Sequence, residues 1–486
     1  MTKEELYESI TDIDEEYILK AGKYYAGKRS RINKRLIMSV CAAVITVAII
    51  TIMILNFRKT DETDSDYQFA VTKVLASYPA PVAGGVDCEV FMESEEYLKW
   101  NREIGQKASL SKTLQKNTGD YYTMIMQDVL SNSDENTVCS PLNIYITFSM
   151  LAEITDGNTR SQILDMLGVT NIETLREQVQ SMWESTYRDI PIAKCVPANS
   201  LWLDGSETYN SETLQRLAEK YYASTFSGIP GSAEMDEALK TWMDANTFGL
   251  LSDYIRDINS NPDAVLEMIS TLYYKAAWEK PFSTDETTQG IFHGIKGDTE
   301  VDMMYQSIDN GYVNDADAYT VVKLGLSGGE SMYLYLPDEG VNVDTLLSDP
   351  DILSSVNSNV RKDKQWIYTK VHISLPRFRV SEKLDLIPIL EKHGVTDVLA
   401  DNIADFSPLT EKQGITLSNA EHAAVLELDE EGVTGAAYTT GWMVYDVSTS
   451  NEIDLIFNRP FMFVVAGMDG SILFAGVVRN CESNGK

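Results

Sequence analysis

Histidine and cysteine are scarce in these 486 residues. Four histidines, at 293, 372, 393 and 422, are scattered with no companion motif around any of them. Five cysteines, at 41, 88, 139, 195 and 481, contain no Cys-x-x-Cys pair, so neither a zinc ribbon nor a disulfide framework is supported. Basic side chains are also in deficit, 40 against 73 acidic, for a formal charge of −33. Such a balance repels phosphate backbones and excludes sequence-independent nucleic-acid binding. The 29 glycines and 14 prolines follow no period, which rules out collagenous and low-complexity classes. His-Glu-x-x-His, phosphate-loop, Gly-x-Ser-x-Gly and Gly-x-Gly-x-x-Gly patterns are missing. Asp257-x-Asn259-x-Asn261 starts like a calcium loop, but Pro262 stands where glycine is needed and Met268 where the bidentate glutamate belongs. No catalytic residues, metal site or cofactor are therefore expected, and the chain is not expected to be an enzyme.

Long uncharged runs are rare as well, with one exception. Leu36 to Leu55 is twenty residues without a charge, enough at ~1.5 Å per residue to cross the ~30 Å hydrocarbon layer of a membrane. Before it stand Lys23, Lys28, Arg29, Arg31, Lys34 and Arg35; after it only Arg58 and Lys59. This asymmetry predicts a single-pass signal-anchor with residues 1–35 as a cytoplasmic tail, residues 36–55 as the transmembrane helix and everything after it outside the cell. Asp12 and Glu15 suit the start of a short amphipathic helix in the tail. Residues 1–59 carry a net +3 and the rest −36, so the anionic surface belongs to the extracellular portion.

Residues 57–112 are expected to be a stalk or linker, because Thr60 to Asp66 is a charged run and Tyr78 to Val86 is rich in proline and glycine. A domain is expected over 113–486. Leu114, Tyr121, Tyr122, Ile125, Met126 and Val129 recur at helical spacing, and Ser140-Pro141 opens a second helix with a capping hydroxyl and a proline at the first position. Later segments read as strands: Val265 to Trp278, Thr320 to Leu326, Met332 to Leu336, Val371 to Phe378 and Val425 to Leu428. Phe461 to Gly467 and Ile472 to Val478 flank Met468-Asp469-Gly470-Ser471 as a hairpin. Helices early and strands late predict an α+β fold with one large core.

Glu430 to Glu452 is too long for an ordinary connection. Gly432 to Gly441 is small and uncharged, whereas Trp442, Met443, Val444, Tyr445 and Val447 put large apolar groups on a surface segment. Laid down as a strand, Val433, Gly435, Ala437, Thr439 and Gly441 share one face, small enough for a buried slot. The segment therefore has the pattern of both a loop and a central strand, which points to a conformational switch.

An ordered series of motifs from about Thr113 to Cys481 resembles the serpin family of serine protease inhibitors. The series is Ser140-Pro141-Leu142, Thr159 to Leu164, Ala198-Asn199-Ser200-Leu201-Trp202, Tyr273 to Phe282, Leu336-Pro337-Asp338, Leu375-Pro376-Arg377-Phe378, Glu430-Glu431-Gly432 and Asn458-Arg459-Pro460-Phe461. The resemblance implies three β-sheets, about nine helices and an exposed reactive-centre loop. It also implies a suicide-substrate mechanism, in which an extracellular serine protease cleaves the loop, is held as a covalent acyl-enzyme, and is trapped when the loop inserts into the central sheet. The alternative is a non-inhibitory binding or carrier protein of the same fold.

Family spacing implies a hinge at Glu430, Glu431, Gly432, Val433, Thr434, Gly435, Ala436 and Ala437, and a reactive bond at Asp446-Val447. The stretch from that bond to Pro460 is a few residues longer than usual, so Val444 and Tyr445 remain alternatives. Asp446 would suit an aspartate-preferring protease, Tyr445 a chymotrypsin-like pocket, and Val444 or Val447 an elastase-like one. Breach and shutter positions fall at Trp278, His422, Ser140, Asn143 and Ser270. Ser270 stands where the family commonly has asparagine and Asn143 where it has serine, so the two are expected to have exchanged hydrogen-bonding roles around His422. Gly435 replaces a commoner alanine and leaves the inward face small. A bacterial cell surface is the expected setting.

Overall fold

Apolar period decides the elements. The computed structural model describes residues 71–82, 88–115, 118–131, 133–256, 258–262, 264–315, 318–349, 352, 366–433 and 452–482. The chain runs β1 (Val71–Val74), α1 (Cys88–Met92), α2 (Glu95–Leu114), α3 (Thr118–Leu130), β2 (Thr137–Cys139), α4 (Pro141–Glu153), α5 (Gly157–Met166) and α6 (Ile172–Thr186). Then come β3 (Arg188–Ile190), β4 (Ala193–Asp204), α7 (Ser211–Lys220), β5 (Ala223–Gly228), α8 (Ala233–Thr247), α9 (Ser252–Ile255) and β6 (Leu266–Ala277). Strands dominate the rest: β7 (Thr288–Gly294), β8 (Gly297–Asp315), β9 (Tyr319–Gly325), β10 (Ser331–Pro337), β11 (Ile367–Pro376) and β12 (Phe378–Asp385). After α10 (Ile387–Lys392) follow β13 (Ala420–Leu428), β14 (Gly432–Val433), β15 (Glu452–Ile456), β16 (Phe461–Ala466) and β17 (Ile472–Val478). This is the expected α+β class.

The central sheet has the order β1-β5-β4-β6-β14-β13-β12, with β3 paired to β4. Its inner strands are largely buried on both sides because both faces are covered. One face packs on the main core, which includes Leu272, Tyr274, Ala276, Leu426 and Leu428. The other packs under α8 through Trp202, Phe226, Ile269, Val425, Leu239 and Trp242. The second ladder runs β15-β11-β8-β9-β10-β16-β17-β2, with β7 on β8. Two of the three expected sheets are joined there by the 19-residue β8, which pairs with β7, β11 and β9 in turn.

Helix α4 starts where Ser140 caps it, the Oγ accepting from the Asn143 N–H at 3.2 Å, with Pro141 next. Every residue of α4 is buried, as befits an inner helix with no polar face. The hairpin at 461–478 forms as expected, with Gly470 at φ 87° in its turn.

The stalk expectation needs correction over its described part. Residues 71–82 and 88–112 belong to the folded body, whose compact unit begins at Tyr67. Strand β1 extends the central sheet beside β5. In α2 the inward positions Ile104, Ala108 and Ser111 lie one turn apart, a narrow stripe in a polar helix. The tail 1–35, the span 36–55 and residues 57–70 of the proposed stalk lie outside the described residues; among the described ones no helix is long and apolar enough to cross a membrane.

Candidate functional site at the hinge and gate of the central sheet

Strands β6 and β13 are neighbours that do not pair along their whole length. They run parallel and are hydrogen-bonded over Ala420–Ala423 against Met268–Thr271, and the ladder stops there. Five rows higher, β14 fills the space between them. Val433 pairs with Leu428 of β13 on one side and with Ala276 of β6 on the other, and Gly432 pairs with Ala277. Val433 is 1% exposed and joins the main core.

A tight turn folds the chain back from β13 into β14. The Asp429 carboxylate oxygen Oδ1 accepts from the Glu431 N–H at 2.9 Å and the Gly432 N–H at 3.1 Å, and the Asp429 N–H donates to the Gly432 carbonyl at 3.0 Å. Gly432 is required by space: its φ is +157°, and a Cβ built there would lie 2.2 Å from the Ala276 carbonyl oxygen. Trp278, 1% exposed, backs the turn, its indole N–H donating to the Asp429 carbonyl at 3.0 Å. Backbone N–H groups of Trp278 and Phe282 donate to the Glu431 and Glu430 carbonyls, each at 3.0 Å.

Glu430 ties this turn to the body. Its carboxylate accepts from Arg377 Nε at 2.8 Å and Nη2 at 2.5 Å, the two-pronged geometry of a strong charge-assisted pair, and from Thr287 Oγ1. Burial works to raise the Glu430 pKa, but the bonds from Arg377 and Thr287 outweigh it and hold the carboxyl below its usual range. Replacing Arg377 with methionine leaves this buried carboxylate without its cation. Because Arg377 is itself 38% exposed, the expected loss is about 1–3 kcal/mol rather than the full cost of breaking a buried pair. Glu430 stabilises the fold above its ordinary 4.5 and loses that contribution as pH falls through its lower folded value. The deficit of Arg377→Met in urea unfolding is therefore expected in full at pH 7 and should shrink below about pH 4.5. An equal deficit at pH 3.5 and pH 7 would contradict the tether.

The gate residues lie lower, where β6 and β13 still pair. His422 stands opposite Ser270, and Ser270 opposite Asn199 of β4, so the three form one row across the sheet. His422 is 1% exposed and its Nε2 accepts from the Ser140 backbone N–H at 3.0 Å, which leaves the ring proton on Nδ1. Burial pushes the imidazole pKa down to about 3. Ser270 donates to Asn199 Oδ1 at 2.7 Å, and Asn199 donates to the Tyr221 carbonyl at 3.3 Å.

The expected exchange of roles between Asn143 and Ser270 is therefore not what the gate shows. The Ser270 hydroxyl turns to Asn199, the side-chain amide of Asn143 has no hydrogen-bond partner among the described residues, and neither does His422 Nδ1. A backbone N–H, which no side-chain pattern reveals, supplies the histidine's one bond. Asn199, present in the motif series but not among the expected shutter positions, joins this row through the register that sets β4 against β6. Of the expected hinge, Glu430, Glu431, Gly432 and Val433 are gathered at Trp278. Thr434, Gly435, Ala436, Ala437, Val444, Tyr445, Asp446 and Val447 lie outside the described residues.

Comparison with known proteins places this arrangement. A family model described as serpin (serine protease inhibitor) matches residues 116–481. Alpha-1-antiproteinase 2 of the horse, Equus caballus, is 28% identical over 372 residues, covering 74% of this chain and 86% of the relative. Serpin-Z2A of rice, Oryza sativa subsp. japonica, is 27% identical over 408 residues, covering 74% and 95%. The native crystal structure of the thermophilic serpin tengpin superposes with a TM-score of 0.67 at 20% identity, covering 85% of this chain and 100% of that one. Thyroxine-binding globulin in complex with thyroxine does so with 0.64 at 24%, covering 77% and 100%. At those identities the structural likeness is one of fold. The family match over residues 116–481, more than half of the chain, makes this chain a member of the serpin family.

Proposed function

We propose that the chain inhibits a serine protease as a suicide substrate. The protease's serine attacks the loop and forms an acyl-enzyme; the freed segment then enters the central sheet between β6 and β13 before water can deacylate the enzyme. One observation carries this reading: β14 already occupies the top of that slot, antiparallel to β6. Continued one residue per row, the register brings Thr434, Gly435, Ala436 and Ala437 level with Lys275, Tyr274, Tyr273 and Leu272, beside the part of β13 that has no ladder to β6. Small inward residues favour this insertion, and the hinge has neither charge nor bulk beyond Glu431. That composition favours an inhibitor over a carrier.

Asp446-Val447 is the proposed reactive bond, with Val444 and Tyr445 as flanking alternatives. The domain is proposed to sit outside a cell, held by the span 36–55 with its N-terminus in the cytoplasm. The basic cluster before that span supports this orientation, and surface proteolysis of intact cells tests it. For the inhibitory reading, the full chain is incubated with elastase-like, chymotrypsin-like and aspartate-preferring serine proteases, then resolved on denaturing gels with mass spectrometry. A denaturant-resistant complex and a released fragment beginning at Val447 are expected. Cleavage by every protease with no complex would overturn inhibition.

A further inference from the structure

Residues 71–82 and 88–115 precede the family-matched region yet are built into the body. Strand β1 covers the outer edge of the central sheet beside β5, with Val71 opposite Ser227 and Thr72 opposite Phe226. Tyr78 then sets its ring against Trp183, Tyr187 and Tyr222, with centroids 5.3, 5.9 and 6.4 Å away. The Val82 N–H donates to the Asp189 carbonyl of β3 at 2.9 Å, and Cys88 Sγ lies 3.3 Å from the Pro191 carbonyl oxygen. Trp100 of α2 lies over the guanidinium of the buried Arg188, 5.8 Å from ring centroid to Cζ. All these contacts fall on β3, β5, α6 and the turns beside them, the side of the sheet that includes β4 and β6.

The far end of the same segment is fastened elsewhere. Ser111 Oγ donates to the buried carboxylate of Asp469 at 2.6 Å, and Gln115 Nε2 donates to the Asp469 carbonyl at 3.2 Å. Asp469 belongs to the β16–β17 turn of the other sheet and also accepts from Ser185 of α6 at 2.6 Å and from Ser471 at 3.0 Å. Residues 71–82 and 88–115 thus bridge one half of the central sheet to a layer outside it.

For a strand to enter between β6 and β13, the β1-β5-β4-β6 half must separate from β13-β12. Four paired rows resist that separation within the sheet. We propose that residues 71–82 and 88–115 form a strap that adds to this resistance and sets the rate at which the sheet opens. The proposal rests on the insertion reading above. A strap of this kind keeps the sheet closed and the uncleaved loop outside it, within reach of a protease, and slows spontaneous insertion.

The test uses the full chain and needs no target protease. Wild type, Tyr78→Ala, Trp100→Ala and Tyr78→Phe are warmed, and the fraction that has become resistant to unfolding in concentrated urea is followed over time. Aromatic contacts of this size are each worth enough to change a rate about tenfold. Conversion about tenfold faster in Tyr78→Ala and Trp100→Ala is expected, with Tyr78→Phe close to the wild-type rate because it keeps the ring contacts and loses only the long bond from its hydroxyl to the Tyr222 carbonyl at 3.4 Å. Val82→Pro, which removes the N–H that donates to the Asp189 carbonyl, should accelerate conversion too and serves if the aromatic variants do not fold. Wild-type rates in all the folded variants would overturn the strap. In parallel, wild-type loop is nicked by a broad-specificity protease; urea resistance after nicking upholds insertion independently of the strap. If no form, nicked or warmed, becomes urea-resistant, the insertion reading itself fails and the strap with it.

Discussion

Ala437→Arg is expected to convert the inhibitor into a substrate. The register anchored by Gly432 opposite Ala277 and Val433 opposite Ala276 puts residue 437 level with Leu272. On β6, Leu272, Tyr274 and Ala276 all belong to the main core, as Val433 already does. Alternation then sends residues 435 and 437 to that same side on insertion. Glycine and alanine fit there without cost. On β6 a guanidinium arriving there meets Leu272 and Tyr274, which offer no counter-charge, and burying a charge without a partner costs several kcal/mol. Each 1.4 kcal/mol slows a step about tenfold, so insertion falls behind deacylation and the protease escapes. The number of inhibitor molecules consumed per protease should rise by on the order of tenfold or more. The loop should still be cut at the same bond. Ala436→Arg, which alternation turns toward the opposite face of the sheet, is the control and should trap far better. Equal trapping by wild type and Ala437→Arg would mean that insertion does not proceed in this register.

How much of this was legible beforehand varied with the kind of information. The small face of 433–441 was visible as plain alternation, and the structure puts its first member, Val433, in the core. Hairpin, capped helix and central strands were equally visible, because each is a local period with a local stop signal. The packing of α2 was not seen. Only Ile104, Ala108 and Ser111 are buried among its twenty residues, so hydropathy alone read it as a polar linker. A signal was nevertheless present: Ser94 caps the helix through the Tyr97 N–H, and Tyr97, Trp100, Ile104, Ala108 and Ser111 recur every three or four residues. Asp469 was read as a turn residue only. Its buried carboxylate accepts from hydroxyls at positions 111 and 185, partners hundreds of residues away that no local pattern connects. The gate shows the same limit more sharply. Residue types at 140, 143, 270 and 422 pointed to a polar cluster, but which atom bonds to which depends on backbone positions, and the bond to His422 comes from an amide.

The buried His422 should make stability fall as pH drops from 6.5 toward 5. In the unfolded chain it binds a proton near its ordinary 6.5; in the folded gate burial delays this to about 3. The unfolded state thus holds more protons throughout this interval, and stability declines with falling pH by about 1.4 kcal/mol per unit. Between pH 6.5 and 5 the loss is about 2 kcal/mol, a sizeable part of the 5–15 kcal/mol that ordinarily holds a domain folded. Carboxylates that the fold holds below their usual range, Glu153, Asp405 and Glu430, withdraw their contributions only at lower pH. Glu267, Glu279 and Glu382, raised chiefly by burial, act in the opposite sense by favouring the folded state as they take up protons. Both sets are common to wild type and His422→Asn, so they cancel in the difference between the two. Urea unfolding at pH 7, 6 and 5 should therefore show wild type losing stability more steeply than the variant, by about 2 kcal/mol over the interval. Parallel pH profiles would mean that His422 takes up its proton without penalty. The bond from the Ser140 N–H to Nε2 would then not be what fixes the neutral ring in the gate.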